Sequence, residues 1–288
     1  VKPMSGGLRR RSTAIKQLAA SGRTTVIETG GLVKGVGRQD EMKAEAIAET
    51  MRLVKVAAIS YGLEEARLGG GMASSLDRLS GGALVATGLS GAGLPVKRFV
   101  RSGPFLIGAV DPRAQEFPTA AGSQVEPVGE SVKALLAEAE AGGVVPVLMT
   151  RGDLASAEAL AKDHPALRLI VCAMKSAPFE APKKVGDTLI VTPGEHAKSV
   201  VRIEWDGSRF TGYRSFDLGP EYTDDKQAQE VYTAYLGRVA REDLLSMVPR
   251  QETTSYIGNA ECSKCHVAAA RVWKETAHSK ALSTLERE

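Results

Sequence analysis

Val144-Val145-Pro146-Val147-Leu148-Met149, then Ser156 to Lys162, then Leu167-Arg168-Leu169-Ile170-Val171-Cys172, decide the fold class. Two short apolar runs bracket a helix-like segment, and such runs read as strands buried on both faces beneath helices. Upstream the alternation continues. Ala83 to Ala86 and Phe105 to Val110 are expected strands and Ser131 to Ala141 a helix. Nearer the amino end, Leu8 to Ala20 reads as a basic helix, Thr24 to Glu28 as a strand, and Val56 to Ser60 as another strand. Between those two strands, Met42, Ala46, Ile47, Thr50-Met51 and Val54 give Gln39 to Lys55 the spacing of an amphipathic helix, while Glu64 to Leu68 reads as a turn or helix start. Downstream, Thr188 to Val191, Ser199 to Trp205 and Arg209 to Phe216 read as antiparallel strands, the last two joined at Asp206-Gly207. A helix is expected from Lys226 to Ala240. The expectation is a layered α/β domain over residues 1–248, a polar linker over 249–255 and a small helical segment over 256–288.

Composition sets the class. The chain has 288 residues, 43% hydrophobic and 25% charged, as in an ordinary globular protein. A net charge of +3 with both signs interspersed gives no reason to expect a nucleic-acid partner. Arg9-Arg10-Arg11 is the one dense basic run and reads as the solvated start of a helix. No 18-residue apolar stretch is present, so no membrane span is expected. The start at Val1-Lys2-Pro3, without a visible signal peptide, suggests a processed or incompletely covered amino terminus.

The most specific motif is Cys262-Ser263-Lys264-Cys265-His266. Two thiols three positions apart can each add across a vinyl group of haem, and the adjacent histidine then sits under the iron. Cys262 and Cys265 are thus the expected thioether anchors of haem c, and His266 the proximal ligand of its iron. A zinc or redox CxxC is the alternative, and a zinc site would need a fourth ligand and usually a second Cys/His pair, and no such pair follows. Covalent haem attachment places the protein in the periplasm or on the cell surface. The third cysteine, Cys172, lies among Leu169, Ile170, Val171 and Ala173 and reads as a buried thiol in a strand.

Several phrases of the large domain carry a resemblance. They are Ser5-Gly6-Gly7-Leu8-Arg9-Arg10, Thr25-Val26-Ile27-Glu28-Thr29-Gly30-Gly31, the helix Glu45 to Leu53, Ala57-Ala58-Ile59-Ser60-Tyr61-Gly62, Val147-Leu148-Met149-Thr150-Arg151-Gly152 and Val191-Thr192-Pro193-Gly194-Glu195-His196-Ala197-Lys198. In layout, residues 5–240 resemble the calcineurin-like metallophosphatase domain of UshA-type 5′-nucleotidases. The resemblance implies an α/β/β/α sandwich whose two-metal site draws on an Asp-x-His, a Gly-Asp, a Gly-Asn-His-Glu, an isolated His and a Gly-His-x-His. Its first strand would precede Val1. The other positions read Gly30-Gly31, Gly62-Leu63-Glu64-Glu65, Arg151 and Ala173-Met174-Lys175-Ser176, so the ligands are lost. Two-metal chemistry needs complete coordination, and Arg151 and Lys175 would bring cations to the metal positions. The expectation is a catalytically inactive scaffold. Glu28, Glu64 and Glu65 read as solvated or capping residues, His164 as a surface residue and His196 as a loop hydrogen-bonder. Gly69-Gly70-Gly71 and Ser5-Gly6-Gly7 lack the phosphate-cradling pattern.

The arrangement Tyr256-x-Gly258, CxxCH, then Trp273-x-x-Thr276-x-His278 resembles the first haem module of cytochrome c554-like multihaem proteins. The resemblance makes His278 a candidate axial ligand of the same or a neighbouring haem, with Trp273 packed on the haem edge or against the scaffold. Were 267–278 one helix, His278 would lie roughly 18 Å along its axis from His266, too far to share one iron. Either the helix breaks and folds back, or His278 serves a neighbouring haem. The reading is an extracytoplasmic c-type cytochrome subunit that passes electrons through haem c. Its partners are other haem groups or cytochrome subunits, in a homo- or hetero-oligomer. The alternatives are a metal-dependent 5′-nucleotidase or phosphoesterase with a redox appendage, and an anion-binding module using Arg151 and Lys175.

Overall fold

The computed structural model describes residues 6–91, 93–116, 124–244, 246 and 258–285. The expected linker 249–255 and Tyr256 lie outside the described residues. The chain divides into two compact units, Val1–Leu244 and Leu245–Glu288. The first begins α1 (Leu8–Ala19), β1 (Ile27–Glu28), α2 (Arg38–Leu53), β2 (Ala58–Ser60), α3 (Leu63–Ala66), α4 (Gly70–Ser80) and β3 (Leu84–Val85). It continues through β4 (Leu89–Ser90), β5 (Val100–Ser102), β6 (Phe105–Val110), β7 (Gln124–Val125), α5 (Val128–Ala141), β8 (Val145–Thr150), α6 (Leu154–Asp163) and β9 (Leu169–Cys172). The unit closes with β10 (Lys183–Val185), β11 (Thr188–Val191), β12 (Ser199–Trp205), β13 (Phe210–Asp217) and α7 (Lys226–Arg241).

Two sheets face each other. One is parallel, in the order β1-β2-β3; the other runs β10-β11-β9-β8-β6-β5, with four parallel strands inside and antiparallel strands at both edges. Side chains that alternate along a strand enter different cores. Ile107 and Ala109 of β6, Val147 and Met149 of β8, and Leu169 and Val171 of β9 meet Ala58 and Val85 of the first sheet in a core between the sheets. Their neighbours Leu106, Val110, Leu148, Ile170 and Cys172 pack outward against Val132, Leu135, Ala157 and Ala161 of α5 and α6. On the far side, Ile59 and Leu84 pack against Ala44, Ala48 and Met51 of α2 and Ala73 and Leu76 of α4. The layers therefore run helix, sheet, sheet, helix. Such a strand is apolar at every position, which is why these runs stand out in the sequence.

Several expectations change. The strand expected over Thr24 to Glu28 is only Ile27–Glu28, an edge of its sheet. Thr188–Val191 pairs parallel to β9 and antiparallel only to β10. The hairpin of β12 and β13 is antiparallel as expected, with a register shift between Ile203 and Trp205. Helix α4 was not expected, because Gly69-Gly70-Gly71 masks its start; Ala73 and Leu76 nevertheless bury one face. Arg9-Arg10-Arg11 is not merely solvated. Arg9 and Arg10 face Asp224, and Arg11 pairs with the half-buried Glu28.

The second unit holds α8 (Asn259–Cys265), α9 (Val267–Glu275), a 3-10 turn (Ala277–Lys280) and α10 (Ala281–Leu285). No residue of α8, α9 or the turn is buried. No helix among the described residues is long and apolar enough to cross a membrane.

Candidate functional site

In a layered α/β fold the loops beyond the carboxyl ends of parallel strands form the natural site. Here β1 delivers Thr29-Gly30-Gly31, β2 delivers Gly62 and Glu64, β6 delivers Asp111 and Arg113, and β8 delivers Arg151. Arg151 lies at the centre, its side chain only 9% exposed. One terminal nitrogen donates to the Thr29 carbonyl at 3.0 Å and the other to Glu64 Oε2 at 2.7 Å. Its Nε is buried without a hydrogen bond and faces Asp111 Oδ2 at 3.6 Å. Arg113 grips Glu64 with two parallel bonds of 2.9 and 3.0 Å and donates to both Asp111 oxygens at 3.0 and 2.8 Å. Asp111 Oδ2 also accepts from the Leu63 amide at 3.0 Å.

The glycines explain how a guanidinium reaches this place. A Cβ at Gly31 would stand 2.7 Å from one Arg151 nitrogen, and a Cβ at Gly62 would stand 2.4 Å from Arg151 Cδ. Bare backbone is what leaves room for the arginine. Burial pushes the Glu64 carboxyl up, but the Arg113 hydrogen bonds and the Arg151 charge overcome it and hold it at about 2. Glu64 in turn raises the Arg113 guanidinium above its ordinary value. Two carboxylates and two guanidiniums thus balance, and the charge a metal would neutralise is already neutralised.

Sequence reasoning singled out Arg151, read Glu64 as solvated or capping where it instead accepts from Arg113 and Arg151, and missed Asp111 and Arg113. Their only signal was position, directly after the strand Phe105–Val110. Glu65 is the capping residue anticipated, fully buried and accepting from the Gly62 amide at 3.0 Å and the Leu32 amide at 2.8 Å. Lys175 stands exposed after β9, while Arg151 is engaged with Thr29 and Glu64. His164 is half-buried at the end of α6, and His196 pairs with Glu195 at 3.2 Å in its loop. Among the described residues, no group of three His, Cys, Asp or Glu could hold a metal ion.

The second candidate site is the CxxCH segment. Cys262 and Cys265 stand three apart on α8, both free and exposed. His266 sits where α8 ends and α9 begins, with φ −101° and ψ 51°; its amide bonds the Cys262 carbonyl at 3.0 Å and its carbonyl caps Ala270 at 2.9 Å. The premise of one helix from 267 to 278 does not hold. Helix α9 ends at Glu275, Thr276 is extended, and the exposed His278 lies in the following 3-10 turn. Thr276 Oγ1 and Ser279 Oγ donate to the carbonyls of Trp273 and Lys274, the local competition that stops a helix. Val267, Val272, Trp273 and Leu282 are 66, 62, 40 and 69% exposed, and among the described residues of α8, α9 and the turn no side chain is buried.

Facing sheets between helix layers, with the loops after β1, β2, β6 and β8 gathered at one end, define the calcineurin-like metallophosphatase/5′-nucleotidase fold. Among solved structures the chain is similar to a 5′-nucleotidase precursor of Thermus thermophilus, at 19% identity and TM-score 0.68 over 83% of this chain and 54% of that one. It is also similar to the sulfate thiohydrolase SoxB of Thermus thermophilus (19%, TM-score 0.66, 82% and 48%). The calcineurin-like phosphoesterase YfkN of Bacillus subtilis aligns at 14% and TM-score 0.60, over 83% of this chain and 92% of that one. The chain spans about half the length of the first two. At these identities the likeness defines the fold alone. No protein-family model and no curated protein matches the chain.

Proposed function

We propose that the chain is an extracytoplasmic electron-transfer subunit, in which haem c is held by the second unit and the metallophosphatase-like unit is an inactive scaffold or docking module. The observation that carries the reading is the CxxCH segment itself, with both thiols exposed on one helix and exposed apolar side chains on the elements that follow. The residues fit the group. Cys262 and Cys265 would anchor it through thioethers, His266 would ligate the iron, and His278 is the candidate axial ligand of the same or a neighbouring haem. Bound in this way, haem c supplies reversible one-electron transfer. Val267, Val272, Trp273 and Leu282 supply apolar surface able to exclude water, and a segment of this size lacks a core unless something fills it. Other haem-bearing subunits are the partners this chemistry requires.

A second reading, a metal-dependent phosphoester hydrolase, has the fold neighbours in its favour, and on fold alone it stands ahead of the electron carrier. Against it stands the ion-paired Arg151 at the centre of the loop cluster. An anion-binding role for that pocket meets the same obstacle, since Thr29 and Glu64 already occupy the guanidinium.

The test is expression in a bacterium that matures c-type cytochromes, followed by haem staining after denaturing electrophoresis. Stain should comigrate with the chain and vanish in C262S/C265S. A colourless chain from a competent host would remove the electron-transfer reading, and manganese-dependent release of phosphate from nucleotides would establish the hydrolase.

A further inference from the structure

A groove of about 500 Å³ lies apart from the Arg151 cluster, between β5 with its approach and the carboxyl end of α5. Lys97, Phe99 and Arg101 alternate along the chain and line one wall, and Glu138 stands on the α5 side. Leu106 and Val144 form an apolar floor, continuous with the core that holds Phe99. The groove's other cations are partly committed: Lys97 donates to the Gly82 carbonyl, and Arg98 pairs with Glu126 at 2.8 Å. Arg101 is different. Among the described residues its side chain makes no hydrogen bond or ion pair, and the same holds for Glu138.

We propose that this groove binds a small organic anion with a flat apolar body, such as an aromatic carboxylate. The carboxylate would take the uncommitted Arg101 fork, which is shaped for two parallel bonds, and Lys97 would add a second charge. The body would lie against Phe99 over Leu106 and Val144. Arg98 is offset by Glu126, so Lys97 and Arg101 against Glu138 leave the walls with an excess of one positive charge, and an anion is favoured over a cation. The volume lies in the range of small-molecule sites. Glu138 opposes any second negative charge at its lip, which selects a monoanion over a dianion.

Isothermal titration of the full chain with indole-3-acetate tests it, with indole-3-acetamide as the neutral control. The acid should bind and the amide at least tenfold more weakly. Arg101→Gln should weaken the acid about tenfold or more, as expected for losing a charge-assisted contact, while Glu138→Gln should strengthen it. Both side chains are exposed, so neither variant threatens the fold. Equal binding of acid and amide, indifference to Arg101→Gln, or no heat at ~10 mM acid would overturn the proposal.

Discussion

Replacing Arg151 by methionine keeps most of the side-chain volume and removes the charge at the centre of the pocket. The loss comprises the 2.7 Å bond to Glu64, the 3.0 Å bond to the Thr29 carbonyl and the 3.6 Å approach to Asp111. Breaking a buried ion pair costs about 3–5 kcal/mol. Glu64 keeps both Arg113 bonds, which moves the cost toward the lower end, and the buried Thr29 carbonyl loses the Arg151 donor. We expect a loss of about 3 kcal/mol, or a Tm lower by about 10 °C for a unit of this size. Urea unfolding read by Trp205 in a Trp273→Phe background isolates the first unit. Pairing the change with Glu64→Gln in a double-mutant cycle should return a coupling of about 1–3 kcal/mol. Arg151→Lys should not rescue, because an ammonium cannot serve Thr29 and Glu64 with a planar fork. A loss under about 1 kcal/mol for Arg151→Met would refute the claim that the guanidinium is an integral plug.

Other outcomes follow from the same geometry. Glu64 is held at about 2 in the folded chain and ionises near 4.3 when unfolded. Its contribution is therefore full above about pH 4.5 and fades as pH falls toward 2, a change of about 2–3 kcal/mol that acid titration of urea stability would show lost in Glu64→Gln. Burial pushes the Cys172 thiol up to about 12, so haem-free native protein should take alkylating label at Cys262 and Cys265 and at Cys172 only after denaturation; mass spectrometry of the labelled peptides decides. Leu148→Ala, in the core beneath α5 and α6, should cost about 2–5 kcal/mol in the same urea assay. The change should leave any haem content untouched.

What was legible in the sequence was what depends on continuous apolar runs. Phe105–Val110 and Thr188–Val191 were bounded correctly because sheets covered on both sides make such strands almost wholly apolar, the buried Thr188 hydroxyl being satisfied by the Leu167 carbonyl. The pairing direction of Thr188–Val191 was not legible, since it depends on β9, which is distant in the chain. Gly30-Gly31, Gly62 and Arg151 could be singled out, yet their meaning is mutual: the glycines are bare because an arginine distant in the chain arrives against them. Asp111 and Arg113 form no motif, and only their place after a strand marks them. A break between 267 and 278 was one of two options in the sequence, but its place at Thr276 was not legible, since it rests on two hydroxyls bonding back to carbonyls.

The most direct measurement is a pyridine haemochrome spectrum and a divalent-metal assay on one preparation, purified from a host that matures c-type cytochromes. The account predicts one c-type haem per Cys262-Cys265 pair and no stoichiometric zinc or manganese. A chain with two bound divalent metals and no haem would contradict it and return the first unit to the hydrolases its fold resembles.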